Sequence, residues 1–260
     1  MPVDTAPVYA VAHTKPRPAL AKLTLTEARL LIREPLALFW GLAFPMALLA
    51  VMGIASSGPG ARLGGLPLVA VYEPILIAFV TVAFSIQGLP AVVAGYRERR
   101  ILRRLATTPV GPVRMVAAQL AVNLAIVLVA TAGILGVGRL GFGVPLPGQP
   151  AGFLVTYVLA AAAMLGLGML IAAVAPTGRT AGVIGTMLFF PLMFFAGLWI
   201  PRATMPAGLL HISNFIPLGA AVQAMQDSMR GSWPHPSALA VLAGYALVFT
   251  VAAVRFFRWD

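Results

Sequence analysis

The residue types best suited to bind another molecule stand together at positions 96–109, in the stretch YRERRILRRLATTP. At about 100° per residue, Ile101, Leu102 and Leu105 cluster within about 100° of arc, and the arginines occupy the remaining arc. The pattern predicts a strongly basic amphipathic helix over 97–108, ended by a proline.

Three interpretations of this basic helix are open. It sets the topology and contacts lipid headgroups, as a basic inner loop does. It binds nucleic acid, which the composition of 60% hydrophobic and 10% charged residues disfavours, because it indicates a membrane protein whose basic residues are spread over its inner face. Or it docks a cytoplasmic partner, which Glu98 favours, because a lipid-binding stripe has no use for a carboxylate on its apolar side. The helix dipole offers a second explanation for Glu98.

A few polar side chains lie within apolar stretches. Glu73 is followed by Pro74, which is typical of an N-terminal cap with proline at the first helical position. The alternative is a substrate or proton site. Gln87 and Asn123 are interpreted as interhelical hydrogen-bonding groups, with contact to an amphiphilic substrate as the alternative.

Catalytic and metal-binding patterns are absent from the sequence. There is no cysteine, no H-E-x-x-H and no G-x-S-x-G, and His13, His211 and His235 stand in separate segments. We therefore predict neither enzymatic activity nor a metal site in this chain.

The elements that carry these residues are set by composition. Of 260 residues, 60% are hydrophobic and 10% are charged, and the mean hydropathy is +0.94. A soluble domain carries about 25% charged residues, so a soluble enzyme or DNA-binding module is excluded despite the net charge of +11. The composition predicts an all-α integral membrane protein.

Six apolar windows are long enough to span a membrane as helices. They cover 36–55, 74–95, 115–137, 152–175, 181–199 and 237–254. A seventh charge-free run, Ala203–Gln226, contains Pro206 and Pro217 and a polar centre, which makes a poor lipid-exposed helix. It predicts an external re-entrant segment over 200–236.

The 18 Lys and Arg residues barely separate six spans from seven, because a seven-span arrangement puts 13 inside and five outside, so the two prolines of the seventh run decide for six. With six spans and the N-terminus inside, 14 lie on the inner side and four on the outer side, as the positive-inside rule requires. The four outer ones are Arg62, Arg139, Arg202 and Arg230. Both termini are therefore predicted to be cytoplasmic.

The first 35 residues are predicted to hold a disordered tail, 1–19, and a helix over 24–34. Thr24 and Glu27 have the spacing of a capping box that opens this helix. Its apolar side favours a helix lying in the inner membrane interface. The alternative is a short solvated helix.

A further helix is predicted in the outer segment, beginning at Pro217 and ending at Gly231. Its polar residues fall on one face at the i, i+3, i+4, i+7 spacing: Gln223, Gln226, Asp227 and Arg230. Such a stripe near a membrane needs water or a polar partner, so it predicts an aqueous exit vestibule. A structural lid over the bundle is the alternative.

Two motifs resemble the permease subunit of type-2 ABC exporters, the ABC-2 family, in its branch of small bacterial drug-resistance and antibiotic-export permeases. One is ERRILRRLATTPVGPVRMVAAQL, from Glu98 to Leu120, and the other is FFAGLWIPRATMPAGLLHISNFIPLGAAVQAMQD, from Phe194 to Asp227. The order of elements is similar over about residues 20–258. One departure is Arg100-Ile101, where relatives often have a Gly-Thr pair.

This resemblance implies a single transmembrane domain over 20–258, with an interfacial helix, six spans and a re-entrant helical pair before the sixth span. It implies that the cytoplasmic helix couples to an ATPase through residues that match the family pattern: Glu98, Arg99, Leu102, Arg103, Leu105 and Pro109. It also places the fifth span near a dimer interface. Together with the polar groups, this gives six pathway or interface candidates: Gln87, Asn123, Phe190, Phe194, Gln223 and Gln226.

The resemblance further implies a separate cytoplasmic ATPase that binds ATP and Mg, since the chain has no G-x-x-x-x-G-K-[ST] phosphate loop. The other partners are a second permease copy or a sister permease, and membrane lipid; no nucleic acid is expected. The predicted function is outward movement of a drug, antibiotic or lipid across the bacterial cytoplasmic membrane. The alternative is a six-span carrier or channel that works without an ATPase.

Overall fold

The computed structural model describes residues 17–56, 62–107 and 111–257, and almost all of them are helical. The α-helices are α1 Arg17–Ile32, α2 Pro35–Leu38, α3 Phe44–Ala55, α4 Leu68–Val82, α5 Leu89–Glu98, α6 Ile101–Ala106, α7 Pro112–Phe142, α8 Pro150–Val174, α9 Gly178–Ala196, α10 Ala207–Phe215, α11 Pro217–Met229 and α12 Pro236–Phe256. Pro109 and most of the predicted 1–19 tail lie outside these ranges.

Short irregular elements connect the helices. A π-helical segment, Phe39–Ala43, joins α2 to α3, and another, Ala83–Gly88, joins α4 to α5. The residue pairs Arg62–Leu63 and Leu66–Pro67 form a small antiparallel hairpin before α4. A 3₁₀ turn, Arg202–Thr204, precedes α10.

Five helices of the described part are long and apolar enough to cross a membrane: Leu68–Glu98, Pro112–Phe142, Pro150–Val174, Gly178–Ala196 and Pro236–Phe256. They coincide with five of the six predicted windows and extend beyond most of them. The remaining window, 36–55, falls on α2, the π-helical segment and α3, whose apolar part, Phe39–Ala55, is shorter. The all-α class is therefore confirmed, with five candidate membrane spans in the described part of the chain.

The N-terminal helix differs from its prediction. It runs from Arg17 to Ile32, so Thr24 lies in its interior and does not cap it. Pro18 is accommodated because the first turn of a helix needs no backbone donor there. The last three residues of the predicted disordered tail therefore belong to α1.

The bundle is built around α4, which is buried along most of its length. α3 and α7 pack on α4, α9 packs on α5, and α8 packs on α11 and α12. At Gly168 and Gly185 a Cβ would overlap the backbone carbonyls of Ser85 and Ile86, so glycine is required where α8 and α9 meet the second π-helical segment. This is the close helix approach that small residues permit in membranes.

Candidate coupling surface and transport pathway

The basic segment is divided into two helices, where a single helix over 97–108 was expected. α5 ends at Glu98, and α6 begins at Ile101. Arg100 lies between them with φ of 56°, in the left-handed region. A non-glycine residue there costs about 1–2 kcal/mol, whereas glycine adopts it freely. This backbone geometry would suit the glycine that the resemblance leads us to expect at position 100.

α6 keeps the predicted amphipathic division. Leu102 is only 1% exposed and Leu105 is half-buried, so the leucines pack into the protein. Arg99, Arg103 and Arg104 are exposed on the opposite side. Of the predicted coupling residues, Leu102 and Leu105 thus hold α6 on the bundle, while the arginines form its outer surface.

Glu98 is exposed, and its partner lies 80 residues away. Its Oε2 accepts a hydrogen bond from the backbone N–H of Gly178 at 3.1 Å, at the first residue of α9. The cap residue Thr177 accepts a second one there, from Thr180 N at 3.1 Å. A carboxylate at a helix N-terminus is stabilised by the free N–H groups and by the dipole. The dipole involved is that of α9, not that of the helix carrying Glu98.

Arg97 makes the complementary contact with the preceding helix. Its Nη1 donates to the carbonyl of Ala173 at 3.0 Å, and its Nη2 donates to the carbonyl of Ala175, both at the end of α8. A cation at a helix C-terminus satisfies free carbonyls and complements the dipole. Arg97 and Glu98, here called the inner clamp, therefore hold the turn between α8 and α9 from the end of α5. Sequence reasoning missed this role of Arg97, because 76 and 78 residues separate it from the carbonyls it contacts, and spacing along the chain gave no signal of the contact.

A second contact ties α1 to the same region. The hydroxyl of Tyr96 donates to the Glu27 carboxylate, with distances of 2.9 and 2.8 Å to Oε1 and Oε2. Burial raises the pKa of Glu27, and the hydrogen bond from Tyr96 opposes that rise. α1 is thus fixed to α5 by a buried polar pair, which the expected capping role of Glu27 did not foresee.

At the opposite end of α9, Arg202 lies in a buried polar network, here called the outer network because this segment is predicted to be external. Its Nη2 donates to Asn214 Oδ1 at 2.6 Å and to Gln223 Oε1 at 3.3 Å, and its Nη1 donates to Ser213 Oγ. Ser213 Oγ in turn donates to the carbonyl of Phe195 at 2.6 Å. One guanidinium therefore links the 3₁₀ turn, α10 and α11, and through Ser213 the end of α9.

Burial lowers the pKa of Arg202 to about 10, and the charge of Asp227 opposes this shift. Arg202 consequently stays protonated at neutral pH. Sequence reasoning counted Arg202 only as an outer-side charge. Its three acceptors, Ser213, Asn214 and Gln223, lie 11 to 21 residues further along the chain, and the sequence does not show that they contact it.

The six predicted pathway residues do not converge on one site. Asn123 is buried and donates to the Gln119 carbonyl of its own helix at 2.9 Å. Gln87 lies half-buried in the second π-helical segment, and Gln223 belongs to the outer network. The other three are Phe190, which is exposed and stacks on Trp199, Phe194, which contacts Phe195, and Gln226. Their role in transport stays a prediction.

Glu73 does not cap a helix, so that interpretation is wrong. α4 begins at Leu68, Pro74 lies inside it, and Glu73 is 2% exposed. It lines a cavity of about 310 Å³ together with Gln226, and we call it the outer cavity because Gln226 belongs to the segment predicted to be external.

A larger cavity of about 540 Å³ is lined almost entirely by apolar side chains. Val116 and Leu120 of α7, Met169 of α8 and Phe257 after α12 form part of its wall. It lies near the end of α12 and near the start of α7, the helix that follows the basic segment in the chain. Within the described ranges, no group of three or more His, Cys, Asp or Glu residues is placed to hold a metal ion.

Comparisons with known proteins agree with the resemblance. The family model described as ABC-2 type transporter matches residues 19–229. No curated protein matches the chain.

Proposed function

Because the chain belongs to the ABC-2 type transporter family, and is the multi-pass permease component of an ABC transporter, we propose that it moves a hydrophobic or amphiphilic compound outward across the bacterial cytoplasmic membrane. The family implies an ABC ATPase partner, and ATP with Mg is proposed to bind there. The energy source and the transport pathway then lie on different chains.

The apolar cavity of about 540 Å³ is the observation that carries the substrate class. Small-molecule sites typically measure about 300–1,000 Å³ and are lined mainly by hydrophobic side chains. A cavity between α7, α8 and α12 with almost no polar wall suits a hydrophobic drug, antibiotic or lipid, and not a sugar or an ion.

The coupling surface is proposed to be the exposed basic side of α6 with the neighbouring Arg99 and Arg100. A cationic surface selects an acidic partner and speeds its encounter. The buried leucines fix α6 to the bundle, and the inner clamp joins α5 to the α8–α9 turn. A force applied to α6 therefore reaches the fourth and fifth spans through a short polar connection.

We further propose six spans, a re-entrant pair made of α10 and α11, and a dimer of permeases. In support, α2, the π-helical segment and α3 form one unbroken apolar stretch from Pro35 to Ala55. At about 1.5 Å per residue, this stretch is about 30 Å long, which matches the hydrocarbon core. α10 and α11 are each too short to cross it alone.

Single-cysteine labelling tests this topology, and the chain needs no prior removal of cysteines. We expect Arg33→Cys and Arg103→Cys to react only from the cytoplasmic side, and Arg62→Cys and Leu146→Cys only from outside. All four side chains are exposed. A membrane-impermeant maleimide applied to cells and to inverted vesicles gives the measurement.

Arg33 and Arg62 flank the first stretch, so labelling of both from one side would show that 35–55 does not cross the membrane. Gly148 is avoided as a reporter because a Cβ there would come 2.9 Å from Gly231 Cα. Gln226→Cys should react from outside if α11 borders an exit vestibule, whereas Arg258, a C-terminal reporter, lies outside the described residues.

The function itself is tested by co-expressing the permease with candidate ABC ATPases from the same organism. The purified complex should hydrolyse ATP faster when an exported hydrophobic compound is added. Arg103→Glu should reduce recovery of the ATPase, and Arg62→Glu, the same charge reversal outside, should not. Transport by the permease alone, with no ATPase, would instead support the carrier or channel alternative.

A further inference from the structure

Glu73 is a buried acidic group that the proposed coupling and apolar cavity leave unexplained. It lies in α4, is 2% exposed, and its Oε2 has no hydrogen-bond partner within the described residues. Burying a carboxyl group without a partner is costly, and most buried polar atoms in proteins do have one. An unpartnered acceptor in such a place calls for a ligand that supplies the donor.

The neighbouring helix makes room for this carboxyl group. Gly138 of α7 faces it so closely that a Cβ at this position would overlap Oε1. Two positions earlier, Gly136 has open space around the place of a Cβ. Glycine is therefore needed at 138 for the carboxyl group and is not needed for this purpose at 136.

The carboxyl group also borders the outer cavity of about 310 Å³ between α4, the end of α7 and α11. Most of its wall is apolar, including the ring of Phe142, and Gln226 contributes an amide. Arg230 is the other charged residue of the wall, but it is exposed, so water and salt screen its charge far more than that of Glu73. The volume falls at the small end of the range for small-molecule sites.

We propose that this cavity binds the protonated amino group of an amphiphilic amine, with Glu73 as the acceptor and the apolar wall around its hydrocarbon body. This inference rests on the proposed export function and narrows its substrate class to compounds that carry a cationic amine. Gln226 supplies a further acceptor from α11. The site stands in the outer half of the bundle, so it receives the compound late in its passage.

The test uses the purified full-length permease in nanodiscs, without ATPase or nucleotide. The probes are 4-phenylbutylamine and 4-phenylbutanol, which share a hydrocarbon body and differ in the cationic group. We expect calorimetry to show the amine binding at least about tenfold more tightly than the alcohol, as a charge-assisted hydrogen bond implies. Glu73→Gln should abolish this preference.

Gly138→Ala provides a second variant that keeps the charge and displaces it, and it should also remove the preference for the amine. Gly136→Ala is its matched control on the same helix and should bind both probes like the parent. The inference is overturned if the parent binds amine and alcohol equally, as a site for a proton alone would, or if the preference survives Glu73→Gln. Because no ATPase is present, such a result would leave ATP-driven export of neutral compounds standing, and a failure of export would leave this binding result intact.

Discussion

Glu98→Arg is expected to lower export on the order of tenfold while the chain still inserts into the membrane. The substitution removes the acceptor of the Gly178 N–H and places a cation against the positive end of α9, next to Arg97 and Arg99. A charge-assisted hydrogen bond contributes about 1.5–3 kcal/mol, and the exposure of Glu98 reduces that to about 1–2 kcal/mol. If the arrangement in which Glu98 holds the α8–α9 turn is destabilised by about 1.4 kcal/mol, its population falls about tenfold.

Glu98→Gln separates the two explanations for this residue. Its amide oxygen still accepts the Gly178 N–H, so we expect it to keep most of the export and the ATPase bound. If Glu98 instead docks on the ATPase through its charge, Gln and Arg should reduce ATPase recovery alike. The measurements are compound efflux from cells, ATPase co-purification and the membrane content of each variant. Export by Glu98→Arg at the parent rate would show that the inner clamp is unimportant.

The spans were predictable because they depend on local composition. A run of about 20 apolar residues has few alternatives to a membrane helix, and five windows coincide with helices long enough to span. The start of α11 was predictable for a similar reason. Pro217 fixes the first helical turn, and Gly231 adopts the positive φ of 86° that ends it.

Glu73 shows where such local reasoning fails. A span predicted from a charge-free run has to begin after Glu73, which makes Pro74 its first residue. The structure breaks that premise, because α4 begins six positions earlier and carries the charge inside the bundle. Proline inside a membrane helix is tolerated where neighbouring groups satisfy the freed carbonyl.

The polar contacts between helices could not be predicted from the sequence, for a different reason. Glu98 meets Gly178 and Glu27 meets Tyr96 only after the spans have packed, since 80 and 69 residues separate the partners. Sequence spacing gives the face of a helix on which a charge lies, but not the helix end that will face it. The break between α5 and α6 at Arg100 was not predicted either, because arginine, unlike glycine, does not indicate a left-handed backbone conformation.

Arg202→Met is expected to lower the free energy of unfolding by about 3 kcal/mol, which makes it the most destabilising substitution proposed for the outer segment. Methionine matches the length of the buried stem but offers no donor to Ser213, Asn214 and Gln223. The relief of no longer burying a cation offsets part of this loss, as the lowered pKa of Arg202 indicates. The measurement is thermal unfolding of the purified permease, followed by tryptophan fluorescence.

Arg202→Lys tests whether charge or geometry matters at this position. Lysine keeps the charge but lacks the planar fork that reaches acceptors on α10 and α11 together, so we expect it to recover less than half of the lost stability. Arg62→Lys, at an exposed position that is predicted to lie on the same side of the membrane, is the control and should unfold like the parent. Full stability of Arg202→Lys would mean that a single buried charge, and not the network, holds α10 and α11 against α9. Destabilisation of both Arg202 variants should also speed proteolysis between Pro201 and Pro217, because this guanidinium is what joins the 3₁₀ turn to the two helices that follow.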